Sequence, residues 1–206
     1  DVMSSNPDLV GRLFNAKIVE LALANFPGWT GRSGVVPNGA YIEYWPALVD
    51  SKFIKEHIHV DGKIIDVIPT SQLNLEEKYY QKIPYENQKI SIDNLKEDYF
   101  GKIFGTRSGD KGGCANLGVW AKSQEAYSFL FDFLTVKKLK ELLPDLEKFE
   151  IDRFELPNIY SLNFYVHGIL QDGVSSSTRM DGQAKSLGEY LRAKKINFPE
   201  QLLKQI

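Results

Sequence analysis

The sequence predicts an α+β fold: a ββαββα two-layer sandwich over residues 97–206, preceded by a mixed helix and hairpin segment. Three observations lead there. "SLNFYVHG" alternates, with Leu162, Phe164 and Val166 facing one way and Ser161, Asn163, Tyr165 and His167 the other, as a strand with one buried face requires. "SQEAYSFLFDFL" instead carries Ala126, Phe129, Leu130, Phe133 and Leu134 at helical spacing, one apolar stripe of a helix lying on a sheet. The remaining apolar runs pair off around turn residues, two before the helix and two after it.

The elements follow in order. "NPDLVGRLFNAKIVELALANFPGW" reads as a helix, with Leu9, Leu13, Ile18, Leu21 and Leu23 recurring, Asn6 or Asp8 as cap and Pro27-Gly28 as stop. "GRSGVVPNG" is a loop. "AYIEYW" and "KFIKEHIHV" read as strands, and Asp61-Gly62 makes a hairpin between "KEHIHV" and "KIIDVI". Pro69 ends that pairing. From there to about residue 97 the chain is polar and patternless, a linker or wrapping segment whose Tyr79, Tyr80 and Tyr85 suit a surface.

The sandwich then opens with "YFGKIF" and "ANLGVWA" as its first two strands. Ser123 caps the following helix, and Thr135 can cap a second helical turn before Pro144. "FEIDRFEL" and "IYSLNFYVHG" are strands three and four, turned by Pro157-Asn158, and a last helix runs from about Gln183 to Lys194.

Between the first two strands lies a glycine-rich loop, 105–113, with Arg107, Ser108, Asp110 and Lys111 among four glycines including Gly109. After the fourth strand comes a second polar loop, with Ser177, Thr178 and Arg179. If the helical segment makes one net traverse, both loops lie at one end of the sandwich. Glycine-rich backbone frees N–H groups to point at an anion, and Arg107 and Lys111 add charge. The alternative is a long hairpin in which Asp110 pairs internally with Arg107 or Lys111. The second loop could bind the same anion, or its Ser, Thr or Asp181 could simply cap the helix. Neither the phosphate-loop nor the dinucleotide glycine spacing is present.

Other features bound the function. The chain has 25 basic and 27 acidic residues and a formal charge of −2, which argues against bulk binding to nucleic acid or anionic membrane. No apolar run approaches the roughly 20 residues of a membrane span. The single cysteine, Cys114, excludes an intrachain disulfide and fits a reducing, cytoplasmic setting; it is either a nucleophile or a small buried thiol. His57 and His59 share a strand face, as a metal pair with Glu43 or Asp61, or as two half-exposed side chains. No metal or cofactor is expected. Asn116, Gly118 and Trp120 share a sheet face with Asn163, Tyr165 and His167, a surface that packs on residues 1–96, on a second subunit, or on a flat ligand.

"GTRSGDKGGCANLGVWAKSQEAYSFLFDFLT", "FELPNIYSLNFYVHGIL" and "GVSSSTRMDGQAKSLGEYL" resemble the small C-terminal domain of the acyclic terpene utilisation (AtuA-like) family. The upstream "LALANFPGW" and "YIEYWPALVDSKFIKEHIHVDGK" resemble the tail of that family's larger preceding domain. The resemblance implies a ferredoxin-like fold, with residues 1–68 ending the larger domain, 69–96 as linker and 97–206 as the small domain. It implies a role in breakdown of branched isoprenoid acids as acyl-CoA thioesters, with coenzyme A entering only as part of the substrate. Where the family pattern has an asparagine-like polar residue, this chain has Cys114; Asn116 matches.

The expected site therefore comprises Asp110 and Lys111 as catalytic candidates. Arg107, Ser108, Gly109, Asn116, Ser177, Thr178, Arg179 and Lys185 are the expected substrate contacts. Expected partners are a small-molecule substrate and either a second copy of the chain or the larger domain.

Overall fold

The structure, a computed structural model, describes residues 2–24, 27–28, 39–40, 42, 45–67, 85–87 and 89–204. Helix α1 spans Arg12–Leu23 and strands β1 (Glu56–Val60) and β2 (Lys63–Val67) form a hairpin. Its turn residues Asp61 and Gly62 have φ of 49° and 75°, the double left-handed pair that tight hairpins need. These elements carry little of the core: α1 buries none of its residues, and neither does the hairpin. Residues 41, 43 and 44 of the strand expected over 40–45, and most of the expected linker, fall outside the described residues; residues 40, 42 and 45 are not in a strand. Tyr85 is described, and it packs half-buried against the core.

The main sheet has four antiparallel strands in the order β4-β5-β7-β6: β4 Gly105–Lys111, β5 Cys114–Trp120, β6 Ile151–Leu156 and β7 Ser161–Val166. Helices α3 (Gln124–Phe133) and α4 (Val136–Leu142) join the two hairpins. Ser123 Oγ accepts the Ala126 amide and Thr135 Oγ1 accepts the Lys138 amide, so both expected caps form. Helix α5 (Leu187–Arg192) packs on β4 and β5. The inward sheet residues Ala115, Leu117, Val119, Leu162, Phe164 and Val166 are fully buried. This mixed α+β architecture is the one the alternation and the helical stripe predict.

Three features correct the expected layout. The stretch read as strand one is a helical turn, α2 (Phe100–Ile103), which follows a short strand β3 (Leu95–Tyr99). The stretch read as a glycine-rich loop is β4 itself, and only Gly112-Gly113 turn the chain. Glycine normally weakens a strand interior, except where something approaches closely. Here a Cβ on Gly105 would sit 2.2 Å from the Trp120 ring, and one on Gly113 would sit 2.2 Å from the Gln171 carbonyl oxygen. These glycines mark contacts rather than a nest of free amides. The last helix is also shorter than 183–194: Ala184 has φ of 53° and delays it to Leu187. A final strand β8 (Lys195–Pro199) then pairs with β3, and a turn of helix, α6 (Glu200–Leu203), follows.

The traverse expected of the helical segment does occur. Ile151 at the start of β6 and Ala115 beside the β4–β5 turn both pair with Val166. Strand β7 therefore ends at that turn, and the Leu170 amide donates to the Gly113 carbonyl at 2.9 Å. The two polar segments meet there.

Candidate functional site

Strand β4 sets the geometry by alternation. Thr106 and Ser108 point inward and are buried, so Arg107, Gly109 and Lys111 share the outer face, where Arg107 and Lys111 are exposed. Strand β4 is a sheet edge, and α5 covers it. A Cβ on Gly188 of α5 would lie 2.8 Å from Thr106 Oγ1. Ser108 Oγ accepts the Gly188 amide at 2.9 Å and donates to the Lys185 carbonyl at 3.2 Å. One buried hydroxyl thus ties the chain just before α5 to the strand.

Asp181 completes the anchor. Its carboxylate accepts the amides of Lys185 at 2.8 Å and Ser186 at 3.1 Å. With its backbone held on both sides, Lys185 sends its side chain around the edge of β4. Its ammonium lies 3.9 Å from Asp110 Oδ1 and 3.1 Å from where a Gly109 Cβ would be. It therefore occupies space that a larger residue at 109 would take, on the face shared by Arg107 and Lys111. Residues two apart on a strand are separated by about 7 Å, so Arg107, the Lys185 ammonium and Lys111 form a cationic stripe. Lys111 Nζ donates to the Asp110 carbonyl at 2.9 Å. The carboxylate of Asp110 meets Lys185, rather than the Arg107 or Lys111 considered from sequence.

The other expected residues lie elsewhere. Ser108 is beneath the stripe, with its hydroxyl committed. Asn116, on the outer face of β5, donates to Asn163 Oδ1 at 3.3 Å. Ser177 Oγ accepts the Arg179 amide, and Thr178 bonds Gln171 Oε1 through both its amide and its hydroxyl. Those hydroxyls organise their own loop. Arg179 lines a cleft of about 650 Å³ with Asp145, Asp181, Glu189 and Tyr190. Three carboxylates against one guanidinium make that cleft a poor host for an anion.

Across the outer face the strand register builds rows. Gly105, Trp120, Ser161 and Leu156 form one; Arg107, Gly118, Asn163 and Phe154 the next; Gly109, Asn116, Tyr165 and Asp152 the third. Trp120, Phe154 and Leu156 are 40%, 51% and 42% exposed, so the described residues leave this face open at its apolar end. At the other end Lys111 pairs with Cys114 in the β4–β5 register. Cys114 and His167 each stand one residue beyond the Ala115–Val166 pair, and His167 Nε2 lies 2.8 Å from Asp152 Oδ2. Sequence reasoning set no histidine opposite Cys114, and the β5–β7 register does. The signal was present in the alternation that put His167 on the outer face, but it needed the register to become visible.

His57 and His59 share a face of the β1–β2 hairpin, and His57 Nδ1 lies 2.8 Å from Asp66 Oδ1 across it. Among the described residues, no group of three or more His, Cys, Asp or Glu is placed to hold a metal ion. No helix among them is long and apolar enough to cross a membrane.

Comparison with curated proteins found no match, and nor did comparison with solved structures. The family model of the AtuA ferredoxin-like domain matches residues 100–197. That span begins with α2 and ends within β8, and it includes the whole four-stranded sheet, the cationic stripe and the Lys185 anchor. Residues 100–197 are therefore similar to the AtuA ferredoxin-like domain.

Proposed function

We propose that this domain serves acyclic terpene utilisation by holding the anionic part of a branched isoprenoid acid or its acyl-CoA thioester on the outer face of β4. The observation that carries the reading is the delivery of Lys185 over Gly109, between Arg107 and Lys111. Three cations in line, with Asp110 as the neighbouring carboxylate, exceed what closing an edge strand requires. Arg107 offers a planar fork to carboxylate or phosphate, and the two ammonium groups neutralise the remaining charge. Asp110, 3.9 Å from the Lys185 ammonium, is the neighbouring candidate base. A cytoplasmic location fits acyl-CoA chemistry and a free thiol.

The test is a calorimetric titration of coenzyme A into the full chain and into Lys185→Ala at low salt. Affinity should fall about tenfold in the variant, the worth of one charge-assisted contact. Equal affinity, or no binding by either protein, would end the proposal.

The apolar end of the same face favours a second, compatible reading. Trp120, Phe154 and Leu156 are exposed together and suit docking onto a second copy or the larger preceding domain that residues 1–68 would end. Leu13, Leu21 and Leu23 of α1 are likewise exposed, as residues covered by such a domain would be.

A further inference from the structure

We propose that Cys114 is a nucleophile toward thioester carbonyls, with His167 as its base and Asp152 as the residue that positions the imidazole. The inference rests on the acyl-CoA reading above and names the chemistry at the neighbouring row of the same face.

It is the array across adjacent strands that carries the proposal, not the thiol alone. Cys114 ends β5, His167 follows β7, and Asp152 is on β6. Facing residues on neighbouring antiparallel strands bring their Cβ atoms to about 5 Å. Ala115 and Val166 are buried inward, so Cys114 and His167 both turn outward. The 2.8 Å contact between Asp152 Oδ2 and His167 Nε2 places the imidazole proton on Nε2, because a carboxylate can only accept. In the neutral ring Nδ1 is then the nitrogen with the lone pair, and the β5–β7 register sets Cys114 opposite His167 on the neighbouring strand. Tyr165 packs edge-on against the imidazole at 4.9 Å and limits its rotation. The thiol has two further neighbours: the Gly168 amide donates to Sγ at 3.4 Å, and Lys111 is its register partner on β4. A nucleophile, a base and an orienting carboxylate in sequence is the general logic of nucleophilic catalysis. Cys114 is half-buried and the His167 side chain is 40% exposed, so a substrate lying on this face reaches both.

In the step, Sγ gives its proton to His167 Nδ1 and forms a bond to the carbonyl carbon. The bond from that carbon to the leaving sulfur breaks, and the imidazolium returns the proton to the departing thiolate. Water, deprotonated by the same Nδ1, then attacks the Cys114 thioester, releasing the carboxylic acid and regenerating the thiol. No oxidant or reductant is needed. The cationic stripe begins one strand away, at Lys111, so an anion held there places a thioester of the same molecule along the row.

The experiment uses a neutral thioester, S-octanoyl-N-acetylcysteamine, which has no phosphate or carboxylate for the stripe to hold. Its outcome is therefore independent of whether coenzyme A binds. Intact-protein mass spectrometry of the full chain should show one octanoyl group, mapped to Cys114 and absent in Cys114→Ser, with matching release of free thiol. His167→Asn should slow adduct formation at least tenfold. Asp152→Asn should slow it as well, and Asp152→Glu should restore most of the rate, a rescue that a merely structural carboxylate would not show. Failure of the unmodified chain to acylate would overturn the proposal, and so would equal rates with His167→Asn and Asp152→Asn.

Discussion

Replacing Ser108 with alanine separates two roles that its sequence context leaves entangled. A serine in Gly-x-Arg-Ser-Gly-Asp-Lys-Gly looks like a substrate contact, yet here its hydroxyl accepts the Gly188 amide at 2.9 Å and donates to the Lys185 carbonyl at 3.2 Å. Alanine leaves the amide buried with no partner. The site is close-packed, with the position of a Gly188 Cβ only 2.8 Å from Thr106 Oγ1 and 3.4 Å from Ser108 Oγ, so the one-atom void does not admit water. An orphaned buried donor costs about 1–3 kcal/mol. The Lys185 carbonyl, beside an exposed side chain, recovers its bond from solvent. The expected loss is about 2 kcal/mol, a roughly 30-fold shift in the folding equilibrium. Urea unfolding followed by tryptophan fluorescence reads this directly, as a midpoint lowered by about 1 M. Coenzyme A affinity should fall too, because Lys185 loses its tether. A variant within about 0.5 kcal/mol of the unsubstituted chain would refute the anchoring argument. If it also bound ligand less tightly, Ser108 would be a direct contact.

Two further outcomes follow from buried and exposed aromatics. Tyr127 is fully buried with no partner for its hydroxyl, and burial pushes its pKa up to about 12. Unfolded, it titrates near 10, so between about pH 10 and 12 the unfolded chain has lost a proton that the folded chain keeps. The stabilising effect is complete below pH 10 and lost as pH rises through 12. Tyr127→Phe should remove this component of alkaline unfolding, while costing under about 1 kcal/mol at neutral pH; a variant with the same alkaline unfolding curve would contradict it. Trp120→Asp places a charge at the apolar end of the outer face. Sedimentation should show an assembly for the unsubstituted chain that the variant fails to form, and equal coefficients for both would dismiss that face as a dock.

How much of this was legible in the sequence differs by element. The alternation in β7 and the apolar stripe of α3 were plain because each face meets a single environment, core or solvent. Strand β4 was hidden for the opposite reason. Its inward residues are Thr106 and Ser108, small and polar, because α5 comes close through Gly188 and leaves no room for branched apolar side chains. Its outward glycines lie under Trp120 and Lys185. A strand whose two faces are both decided by tertiary contacts carries no period for a local pattern to detect. Strands β3 and β8 escaped notice because "LKEDY" is charged and exposed; its pairing is fixed by Ile196 and Phe198 of β8, which are buried in the core. The meeting of the two polar segments was legible, since counting strand directions needs only the number of traverses.

The glycines of β4 connect fold to chemistry in a way that explains why this edge rather than the other one carries the charge. Both outer strands of the sheet expose one side to solvent and need something to keep other chains from adding to them. Strand β6 is bordered on its outer face by Asp152, Phe154 and Leu156, with Arg153 and Glu155 paired at 2.8 Å on the inner side. Strand β4 is bordered instead by α5, and the segment leading into α5 is the one that delivers Lys185. A Cβ at 109 would press on the ammonium at 3.1 Å, so Gly109 sets how near that cation comes to the strand. Covering the edge and building the cationic stripe are then linked through one segment, the first through the absent side chain of Gly188 and the second through that of Gly109. The other feature of this face is the Cys114 thiol at the start of β5. Lys111 stands between the two features, on the stripe by its own strand and beside the thiol by register. On the proposed reading, a molecule with an anion and an electrophilic carbonyl would span these positions along the face, the anion toward β4 and the carbonyl toward the thiol of β5.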